Sequence, residues 1–244
     1  MPERTLDEII SNDISLRQVE SHIYSTYSDG DETNEYDKIG VASFYDHVLC
    51  NRVYNRLVWG YPPRDYILLC QKALKSSTEG WVLDAGCGSL AFTAKAYIDC
   101  SERPIVFLDQ SINLIKKAKS RLIRLKGNVP DNMVFVHGDA LQLPFRSKSF
   151  STIISINLLH VLKDISRFLN QLSKVIADGG KISFTSLVIN NRLADKYLYA
   201  VASTGAAVPR TVEQLILRIP VHSGHSFHFN PDTDSDSIRT PIPE

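Results

Sequence analysis

From residue 81 to residue 186 the chain alternates short apolar runs with amphipathic stretches. The runs WVLDA (81–85), IVFLD (105–109), MVFVH (133–137), FSTIISI (150–156) and KISFTS (181–186) have strand length and are largely apolar. That predicts strands buried on both faces. A helix is predicted from about Ser89. Ser111 has N-cap chemistry ahead of Ile115, Ala118, Leu122 and Leu125, which recur at spacings of three and four until Gly127. Ile165, Phe168, Leu169, Leu172, Val175 and Ile176 mark a further helical face, which Gly179-Gly180 is expected to end. Strands alternating with helices predict an α/β domain with a doubly wound, mostly parallel sheet. Ligands of such sheets sit beyond the carboxyl ends of the strands.

The flanks follow other patterns. In residues 5–27, Ile14, Leu16, Val19 and Ile23 fall near one face behind a capping Asp13, which predicts a helix. SDGDETNE (28–35) reads as a loop, residues 36–59 as aromatic-rich and partly helical, and Pro62-Pro63 as the opening of a helix to about Lys75. Residues 1–75 are thus expected to form an acidic leader and helical lid ahead of a core domain at 76–230. After the fifth strand, 190–202 and 209–217 are expected to be helical. IPVHSGHSFHF (219–229) is expected to be a short hairpin turning at Ser223-Gly224, and 231–244 a polar, mobile tail.

Composition narrows the class. The chain has 244 residues, 43% hydrophobic and 22% charged, an ordinary globular balance. No apolar stretch approaches the roughly 20 residues of a membrane span. The N-terminus lacks the basic start and apolar core of a secretory signal, and the four cysteines are widely spaced. A cytoplasmic setting without a disulfide framework is therefore expected. Net charge is zero but uneven: the first 37 residues hold ten acids against two bases, −8, and the rest carries +8. The acidic leader is either simply solvated or a lid that approaches a basic face. Six bases of the body (Lys116, Lys117, Lys119, Arg121, Arg124, Lys126) lie on one predicted helix, where a solvated face accounts for them without nucleic acid.

The candidate chemistry centres on VLDAGCGSLAFT (82–93). Gly86-x-Gly88-x-x-Ala91 fits a dinucleotide fingerprint, with Asp109 about 20 residues on to take ribose hydroxyls. Asp84 opposes a pyrophosphate there, because like charges in a partly dry pocket repel strongly. A cationic nucleoside suits it better. S-adenosylmethionine (SAM) has a ribose, an adenine, an ammonium and a sulfonium, and no phosphate.

Five ordered segments resemble class I SAM-dependent methyltransferases: VLDAGCG (82–88), FLDQSINLIKKA (107–118), HGDALQLPF (137–145), FSTIISINLLHVL (150–162) and VIADGGKISF (175–184). The resemblance implies a Rossmann-like fold, SAM as cofactor and S-adenosylhomocysteine as product. It implies that Asp84, Ala85, Gly86 and Gly88 hold the methionine end and that Asp109 takes both ribose hydroxyls, with Gln110 next to it. Gly138, Asp139 and Ala140 would meet the adenine, and Asn157 would lie near the transferred methyl. Two positions depart from the family: Leu90 stands where a third glycine is usual, and Ser151 stands where an Asp is usual.

Methyl transfer needs alignment and a water-poor pocket. It needs a general base only when the acceptor keeps its proton. The turn after the fourth strand, Asn157-Leu158-Leu159-His160, is neither the Asp/Asn-Pro-Pro-Tyr of amino-group nucleobase enzymes nor a Pro-Cys nucleophile. A small-molecule acceptor is therefore expected, and no nucleic acid. YDHVLCNRVYNRLVWGYPPRDYI (45–67) is loosely similar to the N-terminal region of ubiquinone/menaquinone-biosynthesis methyltransferases. That likeness implies a quinone-like or secondary-metabolite acceptor lined by Tyr36, Phe44, Tyr45, Tyr54 and Trp59. His160 is the candidate general base, with a purely hydrogen-bonded histidine as the alternative. His222, His225 and His228 do not converge on one face of a hairpin, so no metal is expected. Self-association is left open. Two other readings remain at this point: a SAM-fold binding or regulatory protein with little turnover, and an NAD-dependent oxidoreductase.

Overall fold

The computed structural model describes residues 6–28, 63–76, 79–100, 102–189, 193–203, 207–216 and 226–231. A 3-10 turn, Leu6–Glu8, precedes β1 (Arg17–Glu20) and β2 (Ile23–Ser25). Then come α1 (Pro63–Lys75), β3 (Trp81–Ala85), α2 (Ala94–Cys100), β4 (Ile105–Asp109), α3 (Ile112–Lys126) and β5 (Met133–His137). β6 (Phe150–Ser155), α4 (Ile165–Val175), β7 (Ile176–Ser186), α5 (Leu193–Ser203), α6 (Val212–Ile216) and β8 (Ser226–Pro231) follow. The strands form one eight-stranded sheet in the order β1-β2-β5-β4-β3-β6-β7-β8, parallel except for the β1–β2 pair.

The central strands are buried on both faces, as their continuous apolar runs require. Leu83, Ala85, Val106, Leu108, Ile153 and Phe184 enter one core layer with Phe168, Leu169 and Leu172 of α4. Val82, Ile105, Phe107 and Phe135 point the other way, into a layer with Tyr97, Ile115, Ala118 and Leu122. α3 is capped as its sequence predicts: Ser111 Oγ accepts from Leu114 N (3.2 Å), and Gly127, left-handed at φ 91°, returns its N–H to Ile123 O. Its buried stripe is Leu114, Ile115, Ala118 and Leu122, whereas Leu125 is 52% exposed.

Four expectations change. Residues 17–25 form a β-hairpin instead of a helix, turning at Ser21-His22 with His22 at φ 64°. Edge pairing of Ile23, Tyr24 and Ser25 with Phe135, Val136 and His137 overrides the helical spacing. The helix after the glycine loop begins at Ala94, not Ser89, because residues 89–93 are spent on turns. α4 ends at Val175; Ile176 already pairs with Phe150, and Gly179 (φ 72°) lies within the irregular stretch before Lys181 meets Thr152. At the far edge, β8 runs parallel to β7 instead of forming an antiparallel hairpin partner. The first half of the expected hairpin and the tail fall outside the described residues. So does the lid segment with Tyr36, Phe44, Tyr45, Tyr54 and Trp59.

Candidate active site at the carboxyl edge of the sheet

Strand order reverses beside β3, whose neighbours are β4 and β6, and the crevice beyond their carboxyl ends is where such sheets bind ligands. The chain leaves β3 through Gly86 and Cys87, whose amides both donate to Leu108 O (2.8 and 3.0 Å). Gly86 takes φ 78°, and a Cβ there would stand 2.8 Å from Leu158 Cδ2, so the turn admits no side chain. Gly88, at φ 53°, faces open space: nothing would lie within 4 Å of a Cβ. Its amide donates to Asp109 Oδ2 (2.7 Å), while Ser111 N donates to Asp109 Oδ1 (2.9 Å). Two backbone donors thus aim the Asp109 carboxylate at the loop, and both of its oxygens act only as acceptors.

Asp84 is 2% exposed. Tyr97 Oη donates to its Oδ2 (2.6 Å), and Oδ1 has no hydrogen-bond partner among the described residues. Burial pushes its pKa up to about 7, the Tyr97 hydrogen bond opposes that rise, and the Asp109 charge adds to it. Burial likewise raises the Cys87 thiol, with Asp109 and Asp84 adding to it. Around the loop, Arg121 donates to Ser89 O and Ser155 Oγ to Ala85 O (2.8 Å).

Past β5, Gly138 N donates to Asp109 O (3.0 Å), which ties the ends of β4 and β5 together. Asp139 Oδ1 accepts from Leu141 N (2.8 Å) and so shapes the following turn. Ala140 is buried beneath it. Past β6, Asn157 is left-handed at φ 57°. Its Nδ2 donates to Tyr66 Oη (3.0 Å) of α1, and its Oδ1 accepts from Thr185 Oγ1 (3.0 Å) of β7. Tyr66 in turn stacks on Phe92 of the glycine loop at 5.6 Å.

The structure therefore gathers Asp84, Ala85, Gly86, Gly88, Asp109, Gln110, Gly138, Asp139, Ala140 and Asn157 on the ends of β3, β4, β5 and β6 and the turns after them. His160 lies one turn further on. Its Nδ1 accepts from Leu187 N (3.3 Å), its carbonyl from Val208 N, and burial together with the nearby Arg210 lowers its pKa to about 4. A ring held neutral with Nδ1 already engaged is a weak base at neutral pH, so this geometry argues against His160 as the general base. It acts instead as a fastener between three segments. Arg210 reinforces it, donating to the carbonyls of Leu159 and Leu162 (3.0 and 2.8 Å). Sequence reading missed Tyr97, Tyr66, Thr185 and Arg210. None belongs to a local motif; each reaches the site from a separate element.

A group with cationic and ribosyl parts fits these residues. The enclosed Asp84 Oδ1 needs a donor, Asp109 accepts only, and the open backbone at Gly88 leaves room for close approach. A pyrophosphate would face Asp84 and Asp109 together. Fold and site so define a doubly wound α/β domain with an acceptor-lined crevice at the carboxyl edge of its sheet.

Residues 83–184 match the family model described as "Methyltransferase domain", and this segment is similar to class I SAM-dependent methyltransferases. The chain is 29% identical over 114 residues to phthiotriol/phenolphthiotriol dimycocerosates methyltransferase 1 of Mycobacterium ulcerans, covering 47% of this chain and 40% of that one. It is 25% identical over 108 residues to 27-O-demethylrifamycin SV methyltransferase of Amycolatopsis mediterranei, covering 44% and 39%. The chain thus spans about 40% of the length of these curated relatives. Among solved structures it resembles phosphoethanolamine N-methyltransferase 2 of Haemonchus contortus, solved with S-adenosylhomocysteine and phosphomonomethylethanolamine. The TM-score is 0.59 at 19% identity, over 75% of this chain and 42% of that one. Among the described residues no helix is long and apolar enough to cross a membrane, and no three potential metal ligands cluster.

Proposed function

We propose that this chain binds SAM at the carboxyl edge of β3–β6 and transfers its methyl group to a small, lipophilic acceptor. The carrying observation is the Gly88–Asp109 bond beside an enclosed, half-partnered Asp84. Together they present acceptors, and no phosphate cradle, to a nucleoside. Bound SAM supplies an electrophilic methyl on a sulfonium leaving group. The chain's own part is to bind, orient and keep water out. Asp109 holds the ribose hydroxyls, Asp84 receives the ammonium, and Asp139 accepts from the base. Asn157, fixed at both ends by Tyr66 and Thr185, aligns the methyl-bearing end. An oxygen acceptor would surrender its proton to a group other than His160.

The acceptor class rests on the relatives' names, a lipid-type triol and a rifamycin, and on the loose quinone-type likeness of residues 45–67. Titration calorimetry with S-adenosylhomocysteine, SAM and NAD tests the cofactor reading. Micromolar or tighter binding of the first two and none of NAD is expected, and Asp109→Ala should weaken it by about 1–3 kcal/mol. Preference for NAD would sink the proposal. Binding of SAM without methyl transfer to phenol, hydroquinone or hydroxylated macrolactone acceptors would favour the low-turnover binding protein instead.

A further inference from the structure

The N-terminal hairpin does more than lengthen the sheet. Its last strand residue, Ser25, is in register with His137, the end of β5. Ser25 Oγ lies 3.1 Å from His137 Nδ1, while His137 Nε2 lies 3.2 Å from Gln110 O. One buried imidazole thereby joins the hairpin to the turn after Asp109. Thr26 extends the join: its amide and its hydroxyl both donate to His137 O (2.9 and 3.1 Å). A Cβ on Gly138 would stand 3.1 Å from Thr26 Oγ1, so a side chain there would make the Thr26 hydroxyl give by a few tenths of an ångström.

These bonds deliver Tyr27 to the rim of the site. Its amide donates to Ser25 Oγ (3.1 Å), and its ring lies tilted against His137 with centroids 4.7 Å apart. The hydroxyl is enclosed beside the Gln110 side chain, a hydrogen-bonding neighbour that pulls the phenol pKa down, and it reaches no acceptor at good geometry. Burial and the Asp139 and Asp109 carboxylates hold its pKa above the usual phenol value, so it remains a donor throughout the neutral range. An enclosed donor without an acceptor is unfavourable. Both neighbouring carboxylates only accept, so they serve a nucleoside's donors and leave its acceptors unmatched.

We propose that Tyr27, carried in by the N-terminal hairpin, closes the outer wall of the nucleoside site and donates its hydroxyl to an acceptor atom of the bound adenosine. This rests on the SAM reading above and extends it to a residue outside the matched segment 83–184. The base edge offers a donor to Asp139 and a ring nitrogen to Tyr27, a pairing that favours adenine over a base with those groups reversed.

Titration of S-adenosylhomocysteine into the wild type, Tyr27→Phe and Tyr27→Ala tests it, with ligand-free melting temperatures recorded alongside. Tyr27→Phe should weaken binding about 5- to 20-fold while shifting the ligand-free melting temperature by no more than about 2 °C, since the hydroxyl reaches no internal acceptor at good geometry. Tyr27→Ala should weaken binding at least as much. Wild-type affinity in Tyr27→Phe overturns the role of Tyr27 and leaves the SAM reading intact. A Tyr27→Phe variant that melts lower but binds normally gives the residue a packing role only and likewise overturns it. No binding by the wild type overturns both readings together.

Discussion

The carboxyl group of Asp84 is enclosed, bonded through one oxygen to Tyr97 and bare on the other, with a pKa raised to about 7 from 3.8. Without a ligand, folding therefore makes this acid harder to ionise. The folded protein holds a proton there between about pH 4 and 7 that the unfolded chain has released. Stability contributed by this group falls as pH rises through that window and is fully lost above pH 7. A shift of that size is worth about 4 kcal/mol. Asp84→Asn keeps an acceptor for Tyr97 and removes the charge. The variant should be about 1–3 kcal/mol more stable than wild type at pH 8, with the gap closing below about pH 4, as denaturant titrations at both pH values would read. The same change should weaken SAM binding at least tenfold, because the ammonium loses its carboxylate. Equal stability at pH 8 would mean that Asp84 is solvated well enough to ionise normally.

At the scale of elements, Leu90 separates what the loop needs for folding from what it needs for ligand. It stands in the left-handed region at φ 53°, where the related enzymes usually place glycine, yet its side chain is 2% exposed and belongs to the layer with Tyr97, Phe107 and Ile115. Leu90→Gly would relieve about 1–2 kcal/mol of backbone strain. It would also remove a buried side chain worth about 3–5 kcal/mol. A net loss of about 1–4 kcal/mol in chemical denaturation is expected, with S-adenosylhomocysteine affinity within threefold of wild type because the side chain turns away from the open space at Gly88. A gain in stability would mean that relief of strain outweighs the lost packing. The same loop shows what could be read in advance. Asp84, Gly86, Gly88 and Asp109 stand in local patterns that physical chemistry explains one at a time, Asp139 stands out only through the resemblance of its segment to a known family, and β3 to β7 announce themselves as apolar runs. The hairpin β1–β2 did not. Ile14, Leu16, Val19 and Ile23 mimic a helical stripe, and Ser25, fully buried, is polar because it answers His137 from 112 positions away. Tyr27, Tyr66 and Tyr97 were hidden for the same reason: their roles exist only once separate elements converge.

Across the whole molecule, two enclosed groups titrate in opposite senses. His160 has its pKa lowered from 6.5 to about 4, so the folded protein resists a proton that the unfolded chain accepts. Its contribution is complete above pH 6.5 and is lost as pH falls toward 4, about 3 kcal/mol in all. Asp84 gains stability over nearly the same interval, so these two groups cancel between about pH 4 and 6.5. In Asp84→Asn the His160 slope should be unmasked, giving stability that climbs by about 2–3 kcal/mol from pH 4 to 6.5 where the wild type stays nearly level. Ligand binding completes the linkage. A ligand at about 100 times its Kd adds about 3 kcal/mol, which for a chain of this size raises the melting midpoint by about 5–10 °C. S-adenosylhomocysteine carries an ammonium and 5′-methylthioadenosine does not. At a fixed concentration of each, the shift produced by S-adenosylhomocysteine should grow from pH 6 to pH 8, as Asp84 becomes a carboxylate able to receive the ammonium. The shift produced by 5′-methylthioadenosine should not change. If the two ligands respond alike to pH, Asp84 does not touch the amino group. The anchoring of the nucleoside would then rest on Asp109, Asp139 and the hairpin that brings in Tyr27.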